Sequence, residues 1–146
     1  MYTHPIPTRS RVAYALYALL NPIPFGFFVA ALIFDAVYAR TGELLWMKSA
    51  AWLVSIGLLF AILPRLINLV HVWLPRNRVL AAEKWDFWLN LVAIVLAIVN
   101  AFVHSRDAYG AMPEGLWLSA LTVLLLSLGF VLLAVQRAAP EETGHE

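Results

Sequence analysis

The sequence predicts an all-α fold: a polytopic membrane protein, a bundle of four transmembrane helices with a short N-terminal interfacial helix. Three observations predict it. The 146 residues are 62% hydrophobic and 13% charged, against about 25% charged in soluble domains, and a water-soluble fold of this length cannot bury so much apolar surface. Between the Trp85/Trp88 pair and His104-Ser105-Arg106 the chain is almost wholly aliphatic, and about 20 such residues rise ~30 Å as a helix, the thickness of a bilayer's hydrocarbon core. Three further apolar stretches repeat the pattern between short polar segments.

Taken in order, residues 1–20 form an arm and an interfacial helix. MYTHPIPTR is broken by Pro5 and Pro7, and Ser10 caps a helix with Val12, Leu16, Leu19 and Leu20 at helical spacing. No small-residue cleavage site follows a compact apolar core, so the uncleaved first span is expected to direct targeting. Asn21-Pro22-Ile23-Pro24 marks a break or kink, because prolines are tolerated at a helix start and disfavoured inside one.

The four-span domain covers 21–137, with spans at about 22–39, 46–73, 85–105 and 115–136. Arg40-Thr41-Gly42-Glu43 is a short turn that sets the second span antiparallel to the first. Past Pro64-Arg65, the stretch LINLVHVWL carries Asn68 and His71, and reads either as the end of a long kinked helix or as an amphipathic segment in the headgroup layer. PRNRVLAAEK is a basic loop before the third span, and Tyr109-Gly110 and Met112-Pro113-Glu114 precede the fourth. The acidic tail, 138–146, is expected to be disordered.

Four spans place both termini on one side. That side, with the middle loop, holds Arg9, Arg11, Arg65, Arg76, Arg78, Lys84 and Arg137, whereas the other holds Arg40, Lys48 and Arg106. The positive-inside rule then puts both termini in the cytoplasm and the chain in a cell's inner membrane. A net charge of +1 with scattered cations argues against nucleic acid as a partner. The absence of cysteine excludes disulfides, iron–sulfur clusters and thiolate zinc sites.

Polar groups within spans are costly and normally face the bundle interior. Helix rise brings Asp35, His104 and Arg106 to one end, where Asp35 either pairs with Arg106 or His104 or snorkels from its helix end. At the opposite end Arg65 and Asn68 share one helix face, and Asp86 and Asn90 another, so an Arg65–Asp86 ion pair backed by the asparagines is expected to join spans two and three. Asn100 is expected to hydrogen-bond across helices. Ala93/Ala97/Ala101, Gly57/Ala61 and Gly26/Ala30 form small-residue ladders that let helices approach closely. Ser55, Ser119 and Ser127 read as packing residues.

A b-type haem needs two histidines at one depth, or one from each of two chains. His4 and His145 lie in the tails, while His71 and His104 fall at opposite membrane faces, roughly 20 Å or more apart. They remain the candidate cofactor-binding residues for a haem or quinone shared between chains. No metal cluster, glycine-rich phosphate loop or converging Ser/His/acid set is legible, so no catalytic or metal-ligating residue is assigned.

Leu20-Asn21-Pro22-Ile23-Pro24-Phe25, Phe34-Asp35, the small-residue-rich second span from Trp46 and the Asn90…Arg106 third span resemble, in order and spacing, the bacterial four-helix membrane family called domain of unknown function 2231. The similarity covers about residues 20–135. It implies a four-span inner-membrane domain, in some relatives attached to redox or cytochrome-like modules. The family's His-Pro pair at the start of span one is here Asn21-Pro22, its Gly…Asp pair near the end of span two is replaced around Arg65 and Asn68, and a histidine one turn before the span-three Asn falls at Asp86. If those histidines serve a redox cofactor in relatives, this chain lacks them. The expected function is a membrane anchor, subunit or small binding module. Its partners are the lipid bilayer and a second copy or a membrane redox protein. The alternatives are an electron-transfer component binding haem or quinone, and a small transporter.

Overall fold

The computed structural model describes residues 15, 19–73, 81–106 and 110–138. Four helices follow one another, α1 (Pro22–Thr41), α2 (Leu44–Trp73), α3 (Ala81–His104) and α4 (Glu114–Ala138). Each contains a window long and apolar enough to cross a membrane, and the chain is a membrane protein built as a helical bundle. Neighbours in sequence are neighbours in space, α1 packs against α4 to close the ring, and short connections make successive helices antiparallel.

Local chemistry fixes the helix ends. Pro22 and Pro24 lie in the first turn of α1, where their missing N–H groups cost nothing. Asn21 before them keeps helical backbone angles (φ −61°, ψ −39°), and residues 19 and 20 are helical too. The expected interruption at Asn21 is thus confined to that residue, while most of the arm and interfacial helix lies outside the described residues. Gly42 ends α1 in the left-handed conformation (φ 69°), and its N–H bonds to the Tyr38 carbonyl at 2.8 Å. A side chain here would strain the turn. Only Gly42 and Glu43 separate α1 from α2.

Through Trp73, the LINLVHVWL stretch continues the α2 helix without a break. The α2 backbone stays helical through Trp73, 30 residues in all, which rise ~45 Å and outrun the hydrocarbon core. Among the described residues its apolar window is Leu44–Ile62.

The middle of the bundle is apolar and made largely of small residues. Phe28, Ala31, Val54, Ala61, Ala93, Ala97 and Leu126 form its core. Without a hydrophobic driving force between helices in lipid, close backbone approach supplies the attraction. Phe25 and Phe130 meet edge to face at 5.3 Å between centroids. Trp52, Trp85, Trp88 and Trp117 point outward near the two ends, as interfacial belts do.

One small-residue ladder departs from expectation. A Cβ built on Gly57 would meet Phe27 and Phe28 at 3.1 Å, a true close approach of α2 to α1. A Cβ on Gly26 would meet nothing within 4 Å, because that residue lies on the outer face of α1 beside a shallow groove with Ile23, Phe27, Ala30 and Leu53. The helix phase that buries Pro24, Phe28 and Ala31 turns Gly26 outward. Gly57→Leu should therefore lower stability by about 1–3 kcal/mol through overpacking, whereas Gly26→Leu should leave it within about 0.5 kcal/mol. Denaturation in mixed micelles reads the difference, and equal losses would contradict the assigned faces.

Candidate functional site

Two buried polar layers cross the bundle, one near each end. The layer at the α1–α2 turn is built on Asp35, whose side chain is wholly buried. Asp35 Oδ1 lies 2.7 Å from His104 Nε2, and Asp35 Oδ2 accepts from Ser119 Oγ at 2.5 Å. Ser119 Oγ in turn accepts from Asn100 Nδ2 at 2.8 Å, so one hydroxyl links α1, α3 and α4. His104 Nδ1 lies 3.0 Å from the Asn100 carbonyl, one turn back on the same helix. A Cβ on Gly115 would come within 3.0 Å of the imidazole Cε1, so this glycine makes room for the ring.

This geometry fixes the proton count. A carbonyl oxygen only accepts, so Nδ1 carries a hydrogen. The Nε2–Oδ1 contact at 2.7 Å then requires one more hydrogen, on the ring as imidazolium or on the carboxyl as acid. Both forms leave the pair neutral overall, which is how two ionisable groups are accommodated at membrane depth.

The opposite layer is looser. Arg65 Nη1 lies 3.5 Å from Asp86 Oδ2, and Nη2 donates to Asn21 Oδ1 at 3.2 Å. Asn90 Nδ2 donates to both Asp86 Oδ1 and the Asp86 carbonyl, each at 2.7 Å. Gly129 covers this cluster, since a Cβ there would fall 2.6 Å from Asp86 Oδ1. A cavity of about 10 Å³ lies among Asn21, Arg65 and Asn90, room for a single water and far below the several hundred Å³ of a cofactor pocket.

Among the expected layer residues, Asp35 meets His104 and Arg65 meets Asp86. Arg106 does not join Asp35. It is exposed two residues beyond the end of α3, and His104 occupies the carboxylate. Asn68 and His71 lie on the α2 backbone, but their side chains fall outside the described residues, as do His4 and His145. Ser119, expected only to pack, is instead the junction of the Asp35 layer, and Asn21 and the two glycines also went unassigned. The expectation that no serine, histidine and acid converge is corrected, for Ser119, Asp35 and His104 do. Their order is nevertheless wrong for a nucleophile: the carboxylate sits between hydroxyl and imidazole, so no bond joins Ser119 to the ring that would have to take its proton.

Within one chain, His71 and His104 lie too far apart to ligate one haem. His104 borders the same groove as Lys48, and His71 lies ~35 Å further along α2 at 1.5 Å per residue. Both nitrogens of His104 are also engaged, so ligation of any iron would require giving up the contact with Asp35 or with the Asn100 carbonyl.

The family model described as "Predicted membrane protein (DUF2231)" matches residues 14–135. Neither the curated proteins nor the solved structures contain a match.

Interhelical hydrogen bonds in membranes average ~0.6 kcal/mol and reach ~1.7. Ser119→Ala, which removes two, should cost about 1 kcal/mol. Asp35→Ala unpairs both the imidazole and the hydroxyl and should cost about 2–3 kcal/mol. Because the residues act in one network, the double variant should lose less than the sum by at least about 0.5 kcal/mol. Additive losses in a double-mutant cycle would contradict the network. At the other layer Asp86→Leu should lower the stability of the extracted protein, and unchanged melting would contradict a role for Arg65–Asp86.

Proposed function

The chain belongs to the DUF2231 family of predicted membrane proteins, and from that premise we propose that it is a multi-pass module of a cell's inner membrane, both termini cytoplasmic, serving as a membrane subunit or small binding module without catalytic chemistry of its own. One observation carries the reading. Asp35, Asp86 and His104, the buried acidic and imidazole side chains among the described residues, are each bonded to a side chain on another helix. Each of these contacts ties two helices together, and that is the role the geometry supports for them.

The charge asymmetry of seven Lys/Arg against three supports the orientation. The lack of cysteine makes it simple to test, since single cysteines report without background. In intact cells a membrane-impermeant maleimide should label Glu43→Cys and Gly110→Cys and spare Lys84→Cys until the membrane is opened. The reverse pattern would overturn the orientation. For the role itself, a native mass spectrum from mild detergent should show the polypeptide with lipid, alone or with a companion chain. A stoichiometric haem or quinone mass would overturn the non-redox reading.

A further inference from the structure

At the end of the bundle where α1 turns into α2, a groove of about 400 Å³ opens between the first turns of α2 and the end of α3. Leu44, Met47, Ala51 and Trp52 give it an apolar wall, and Lys48 and Arg106 line it with two cations. We propose that this groove is a binding site for an anionic phospholipid, its phosphate held between Lys48 and Arg106 and its upper acyl chain lying along Ala51 and Trp52. The proposal goes beyond the module's role and does not depend on which side the groove faces, since phosphate headgroups occur in both leaflets.

Charge complementarity is the first argument. Among the described residues neither Lys48 nor Arg106 forms an ion pair, and no acidic side chain lines the groove. Glu43, the nearest acid in sequence to α2, does not line the groove; its carboxylate accepts the Trp46 indole N–H at 3.2 Å. The first turn of α2 contains no acid, so the positive end of its dipole adds to the field of the two side chains. His104, which would otherwise supply a titratable group beside the groove, forms with Asp35 a pair that is neutral overall.

Depth is the second argument. Lys48 sits one turn inside α2, and Trp52 follows one turn deeper on the same face, ~6 Å further along the axis. A cation at the headgroup level above an outward-facing indole matches the order of phosphate and acyl chain in a lipid. Trp52 is 71% exposed, so in a bilayer its ring lies against a lipid already. The two cations convert that contact from any lipid to an anionic one.

Each cation near an anionic headgroup is worth roughly fivefold in affinity, so the pair should give about a thirtyfold preference for phosphatidylglycerol over phosphatidylcholine. The test is native mass spectrometry of the full chain titrated with each lipid in detergent. The wild type should retain phosphatidylglycerol selectively, and Lys48→Gln/Arg106→Gln should lose that preference while melting as the wild type does. Lys84→Gln, which removes a cation at the far end of α3, should keep it. Excess inorganic phosphate should not compete, because it lacks the acyl chain. Unchanged selectivity in the double variant, equal loss in Lys84→Gln, or displacement by phosphate alone would each overturn the proposal.

Discussion

One hydrogen shared between Asp35 and His104 joins α1 to α3, helices that are not neighbours in the ring. Separately, a carboxylate and an imidazolium at this depth would each cost several kcal/mol in desolvation. Together they present no net charge, and the Asn100 carbonyl on one side and the Ser119 hydroxyl on the other complete the set of partners. The pair dictates much around it. Ser119 must sit where it can reach both Asp35 and Asn100, and Gly115 must lack a side chain so that α4 can pass the ring.

The second polar layer repeats this logic at a fixed distance. Asn21 at the start of α1 and Asp35 within it, Asp86 and Asn100 on α3, and Gly115 and Gly129 on α4 are each separated by 14 residues, or ~21 Å of helix. Each layer therefore lies within about a turn of a membrane boundary, with the alanine-rich core between them. Small residues draw the helices together in the middle, and the polar layers select which faces meet at each end. The pattern places the expensive groups where water and headgroups are closest and leaves the centre to packing.

Much of this was legible in the sequence. Four apolar stretches and the turn at Gly42 follow from the pattern of apolar and polar residues, and the segregation of Asp35 and His104 from Arg65 and Asp86 follows from helix rise. What escaped was whatever depended on rotation between helices. Ser119 carries no charge and reads as a packing residue until α4 is placed against Asp35. Gly115 and Gly129 look like ordinary membrane glycines until the ring and the carboxylate beneath them are seen. Gly26 shows the converse, a small-residue signal that faces outward because one sequence motif does not fix the phase of its helix. Arg106 rivalled His104 as the partner of Asp35 on spacing, and only geometry separates the buried imidazole from the exposed guanidinium.

The Asp35–His104 contact within a bilayer is the interaction on which the bundle depends. Solid-state NMR of the chain labelled with ¹⁵N-histidine and ¹³C-aspartate, in lipid, addresses it directly. The expected spectrum shows a protonated Nδ1 on His104 and a direct dipolar contact between its Nε2 and the Asp35 carboxyl carbon, both shielded from exchange with bulk water. A His104 with bare Nδ1, or an imidazole exchanging freely with water and out of range of Asp35, would contradict it.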